Sequence, residues 1–99
     1  MNPDDKIKER LKSYLERDEK GIRKVVLCLF LQDEPYTTED VYTYLVEHGF
    51  DVSYRGISAM VGLMNTRLGI LSIDVTGEHN VYSLKEGHRE IVKSVLDNY

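Results

Sequence analysis

The 99-residue chain has a single cysteine, Cys28, so an internal disulfide is excluded. A lone thiol inside an apolar run is expected to be a buried small hydrophobe in a reducing cytosol. The chain has two prolines and no Pro/Gly-rich linker, low-complexity segment or internal repeat, so residues 1–99 are expected to form one domain. A helix that spans a bilayer needs roughly 18 apolar residues. The longest apolar run here, Val25 to Leu31, has seven. The opening Met1-Asn2-Pro3-Asp4-Asp5 is polar and acidic, unlike a secretory leader. These absences point to a cytoplasmic protein with no membrane partner.

Charge is scarce in particular places rather than overall. Thirteen basic and 17 acidic residues give a net charge of −4. Residues 25–51 contain six acids (Asp33, Glu34, Glu39, Asp40, Glu47, Asp51) and no base. Residues 52–73 contain Arg55 and Arg67 and no acid. Phosphate neutralisation drives polyanion binding, so a uniformly acidic chain would argue against a nucleic-acid partner. Segregation of the acids leaves that partner possible.

Periodicity predicts four helices, two strands and a last helix. The first helix, 4–18, carries Ile7, Leu11, Tyr14 and Leu15 on one stripe. Its cations Lys6, Lys8, Arg10, Lys12 and Arg17 are interleaved with acids, as on a solvated face. The second, 22–31, is apolar on every side, through Leu27, Cys28 and Leu31 as well as its inward stripe. It is expected to be buried all round, by its own domain or by a partner subunit. Thr37 caps the third helix with Asp40 completing a capping box, His48 lies on its apolar face, and Gly49 closes it. The fourth runs from an N-cap at Ser53 to Gly69, with Ile57, Met60, Val61, Met64 and Leu68 inward. Its opposite face carries Arg55, Ser58, Ala59, Gly62 and Thr66. Interior Gly56 and Gly62 each lower helix stability by about 1 kcal/mol against alanine and so need a cause. For Gly62 that cause is either close packing or function. A hairpin follows, Leu71 to Val75 and Val81 to Leu84, and an amphipathic helix over 85–98 ends the chain. Tyr42, Tyr44 and Tyr82 are expected to be core or rim aromatics.

Two helices joined through a glycine turn, with a two-stranded ribbon after the second, form a helix-turn-helix with a wing. Over about Gly21 to Leu84 the chain resembles the winged-helix superfamily of prokaryotic regulators, most clearly in Thr37-Thr38-Glu39-Asp40-Val41-Tyr42-Thr43-Tyr44-Leu45. Four further stretches resemble a small archaeal family of uncharacterised winged-helix proteins: Glu9 to Glu19, Val52-Ser53-Tyr54, Ser58-Ala59-Met60-Val61-Gly62 and Arg67-Leu68-Gly69-Ile70-Leu71. The resemblance implies a mainly α fold with a small β-hairpin. It implies a winged helix-turn-helix over 22–84, flanked by an extra N-terminal helix (4–18) and a C-terminal helix (85–98). The fourth helix would then enter the DNA major groove, with Ser53, Tyr54, Arg55, Ser58, Ala59, Gly62, Thr66 and Arg67 as contact residues and His79 at the wing tip. Arg55 is the residue suited to a bidentate contact with guanine.

Other chemistry finds little support. Cys28, His48, His79 and His88 never fall at metal-ligand spacing, and no nucleophile–base pair or Gly-rich phosphate loop is present. No enzyme, metal or cofactor is expected. The wing tip, Glu78-His79-Asn80 with Asp74 nearby, lacks the basic residue usual for a phosphate-contacting wing. Two functions therefore stand: a sequence-specific DNA-binding transcriptional regulator, or a protein-interaction and assembly module without nucleic acid. A homodimer through the first, second or last helix fits both.

Overall fold

The computed structural model describes residues 3–18 and 20–98. Helix α1 (Pro3–Glu16) and α2 (Ile22–Phe30) precede a two-residue strand, β1 (Tyr36–Thr37). Then come α3 (Thr38–Glu47), α4 (Tyr54–Thr66), β2 (Leu71–Asp74) and β3 (Val81–Leu84). A 3-10 turn (Glu86–His88) leads into α5 (Arg89–Leu96). The strands form an antiparallel sheet in the order β1-β3-β2, pairing Tyr36 and Ile73 on either side of Tyr82. The result is a mainly helical chain with a small three-stranded sheet.

The helix boundaries follow from local chemistry. Thr37 Oγ1 accepts from the Asp40 amide at 3.0 Å, and Asp40 Oδ2 accepts from the Thr37 amide at 2.9 Å, closing the capping box. Gly49 and Gly69 sit at φ 84° and 65°, where a β-carbon would be strained, and they release the chain from α3 and α4. Ser53 Oγ accepts from the Gly56 amide at 3.0 Å and caps α4. A β-carbon at Gly56 would lie 3.1 Å from that same oxygen, so the cap accounts for this glycine.

Four boundaries or elements differ from the sequence reading. The first helix ends at Glu16, and Asp18 turns away to accept from the Arg23 and Lys24 amides at 3.1 and 3.0 Å. A carboxylate there meets the positive end of the α2 dipole, replacing the cap that Gly21 lacks. Helix α2 ends at Phe30, with Leu31 as its C-cap. The last helix is shorter than 85–98 because the chain first makes the 3-10 turn. Strand β1 was not expected at all, since two residues carry no periodicity.

One core joins the layers. Leu11, Val26, Phe30, Val41, Leu45, Ile57, Val61, Met64, Ile70 and Val92 are fully buried within it. The Phe30 ring meets Tyr36 edge-on at 5.8 Å, tying α2 to the sheet. Tyr82 is buried while Tyr42 and Tyr44 are half-buried against the core, as core and rim aromatics. Arg89 holds α5 to the end of α2. It donates to the Leu31 carbonyl at 2.7 Å and lies 3.1 Å from the Asp33 carboxylate.

Two expectations about side chains are corrected. Cys28 is exposed rather than buried. Helix α2 packs on α1, α3 and α5, so Leu27 is buried by its own domain while the side bearing Cys28 stays uncovered. His48 is exposed rather than on the apolar face. It is the C-cap of α3, stacked on Tyr44 with ring centroids 4.0 Å apart and Nδ1 donating to the Tyr44 carbonyl at 2.7 Å. No helix among the described residues is long and apolar enough to cross a membrane.

Candidate nucleic-acid interface

Helix α4 follows α3 directly and packs against it, while β2 leaves its far end. Its inward stripe of Ile57, Val61 and Met64 fixes the rotation of the helix about its axis. That rotation brings Arg55, Ser58, Ala59 and Thr66 out together on an exposed face, with Gly62 half-exposed among them. Arg55 and Thr66 are eleven residues apart, about 17 Å along the helix. The whole stretch from Ser53 to Gly69 contains no carboxylate.

The expected contact residues separate into those with free polar groups and those already engaged. Ser53 Oγ is occupied as the cap acceptor, leaving its hydrogen to donate outward. Thr66 Oγ1 donates to the Gly62 carbonyl at 3.0 Å. Tyr54 is exposed at the start of the helix and meets Tyr42 edge-on at 5.9 Å. Arg67 lies at the C-cap, turned toward α1 rather than with Arg55. His79 is exposed in the hairpin loop, remote in sequence and element from α4.

Gly62 is the informative position. A β-carbon built there meets nothing within 4 Å, and its backbone is not in the left-handed region. Neither close packing nor backbone geometry accounts for it. Gly62→Ala is therefore expected to raise stability by about 1 kcal/mol, which for a domain of this size is about 4–8 °C in Tm. Thermal unfolding followed by circular dichroism reads this directly. An unchanged or lowered Tm would show that the isolated fold itself needs the glycine.

The hairpin tip is acidic, as its sequence says. Asp74 accepts from the Thr76 amide at 2.9 Å and the Thr76 hydroxyl at 2.6 Å, and these bonds hold its carboxyl below the usual range. Val75 and Ile73 are exposed on the same ribbon. A second acidic surface lies on α3 and β1, where Glu39, Asp40 and Glu47 surround a shallow groove of about 460 Å³ with Tyr36 and Tyr44.

A groove of about 770 Å³ between α1 and the end of α4 was not expected from the sequence. Lys6 and Arg10 line it from α1, Arg17 from the turn just after it, Arg23 from α2, Thr66 from α4 and Arg67 from the α4 C-cap. Cations that alternate with acids along the chain are thus gathered on one side. The signal was present in the spacing, because residues 6, 10 and 17 lie on one helical stripe. Beneath them, the Arg23 guanidinium stacks over the Tyr14 ring at 4.3 Å and donates to the Tyr14 carbonyl at 2.7 Å.

Burial pushes the Tyr14 phenol up from 10.0 to about 12, the Arg23 charge opposing and Asp18 adding to the shift. The folded state thus favours the neutral phenol. The stability this gives is complete below pH 10 and is lost as pH rises from 10 through about 12. Tyr14→Phe is expected to remove that loss, so its stability should fall less steeply than wild type over this interval. Equal slopes for the two proteins would contradict it.

Among the described residues no three His, Cys, Asp or Glu side chains come together as metal ligands. Residues 11–92 match the family described as Protein of unknown function (DUF2551). An uncharacterised protein of Archaeoglobus fulgidus is 38% identical over 93 residues, covering 94% of this chain and 95% of that protein. No solved structure matches the chain. With its matched region running from the middle of α1 into α5, the chain belongs to the DUF2551 family of uncharacterised proteins.

Proposed function

We propose that the protein is a winged helix-turn-helix DNA-binding transcriptional regulator that reads duplex DNA with α4. The order of α2, β1, α3, α4 and the β2–β3 hairpin supports the winged-helix assignment, with α4 as recognition helix and the hairpin as wing. The observation that carries the reading is the exposed α4 face, free of acids, bearing Arg55 and a Gly62 that nothing in the monomer explains. An incoming backbone or base edge accounts for the missing β-carbon. Arg55 supplies the bidentate donor for guanine, and Ser58 and Ala59 allow close approach beside it. Two cations on one helix bind weakly, so a homodimer spanning two half-sites supplies the affinity.

Selection from a pool of randomised duplexes tests this. The regulator reading expects enrichment of a short motif containing a guanine, and enrichment should vanish for Gly62→Leu, whose side chain fills the open space over the face. A pool that stays random after repeated rounds overturns it. The second reading, a protein-interaction module, is favoured by the acidic groove on α3 and by a hairpin tip without cations.

A further inference from the structure

We propose that the groove between α1 and the end of α4 is a binding site for a small organic phosphate carrying two or more phosphoryl charges. Lys6, Arg10, Arg17 and Arg67 converge there with Arg23 below them, and Glu9 is the one carboxylate among the described lining residues. None of Lys6, Arg10, Arg17 or Arg67 has a carboxylate within ion-pair distance among the described residues. The nearby Asp18 carboxylate is committed to the amides of α2.

Four clustered cations against the single Glu9 carboxylate repel one another, and they raise the free energy of the empty site. The negative end of α4 offsets part of this, since Arg10 donates to the Arg67 carbonyl at 3.4 Å. It leaves Lys6, Arg17 and the Arg67 guanidinium without an ion-pair partner among the described residues. Guanidinium groups present paired donors that match phosphoryl oxygens, and three arginines, from α1, the turn after it and the α4 C-cap, reach a ligand from different directions. Ser13 adds a neutral donor between Arg10 and Arg17 on the same stripe.

The volume and the walls identify the class of ligand. About 770 Å³ lies within the range of pockets that hold small molecules. A wall of Leu63 and Leu68 gives the organic part of the ligand an apolar surface, and Leu63 remains 40% exposed without one. Thr66 belongs both to this groove and to the outer face of α4. An occupied groove therefore alters charge at one end of the proposed DNA-contact face. The phosphate site itself stands whether or not that face binds DNA.

Thermal unfolding of the full chain at constant ionic strength tests the site, with pyrophosphate and ATP as probes and chloride as control. A rise in Tm of about 5–10 °C is expected at tenfold excess over Kd, growing with the logarithm of ligand concentration beyond it. ATP should begin to raise Tm at lower concentration than pyrophosphate through its organic part. In Arg10→Gln/Arg67→Gln the ligand-dependent rise should disappear while Tm without ligand stays equal to or above wild type, because repulsion is relieved. Shifts no larger than chloride gives, or shifts that persist in the double variant, would overturn the proposal. A shift with mixed-sequence duplex but none with pyrophosphate or ATP would also overturn it, assigning the groove to backbone phosphates. Failure of duplex binding with intact pyrophosphate binding would leave this site standing and remove only the regulator reading.

Discussion

Arg55→Ala is expected to weaken binding to a selected duplex by about 5- to 150-fold, the 1–3 kcal/mol of a bidentate arginine–guanine pair. The side chain is exposed and makes no hydrogen bond or ion pair among the described residues, so its removal should leave Tm unchanged. Specificity should relax at one base position of the selected motif, and binding to random duplex should weaken far less. Fluorescence anisotropy with matched and single-substituted duplexes separates these effects. A uniform loss across all sequences would make Arg55 a phosphate contact. No loss at all would remove it from the interface.

Phe30→Ala is expected to lower stability by about 3–5 kcal/mol, a large fraction of the 5–15 kcal/mol typical of a small domain. Phe30 is fully buried where α2 meets the sheet, and its ring is one side of the contact with Tyr36. Truncation leaves a cavity among Leu, Val and Tyr side chains and removes the edge-to-face pair at once. Urea unfolding should give a lower midpoint with an unchanged slope. A loss under about 1 kcal/mol would mean that β1 and α2 are not held together through this ring.

What the sequence revealed and what it hid divide along physical lines. Thr37 with Asp40, Ser53 with α4, and the helix-closing Gly49 and Gly69 were legible because each acts within a few residues of itself. Strand β1 was hidden because Tyr36 and Thr37 are defined only by partners about 45 residues away, Tyr82 and Val81. Cys28 was misjudged because composition reports how apolar a helix is, and not how many sides its neighbours cover. Asp18 looked like the end of a helix, whereas its carboxylate serves the start of the next. The cationic groove was half legible: helical spacing aligns Lys6, Arg10 and Arg17, but only the tertiary fold brings Arg67 to Arg10. Gly62 was identified as needing a cause, and the open space around it excludes packing within the monomer.

The proposed nucleic-acid face on α4 is read by a salt series of binding to random duplex DNA. Phosphate contacts from the α4 face of each protomer, about two to four in a homodimer, predict that log affinity falls against log salt with a slope of about −2 to −4. A duplex that does not bind even at low ionic strength, or an affinity that does not change with salt, would contradict the account.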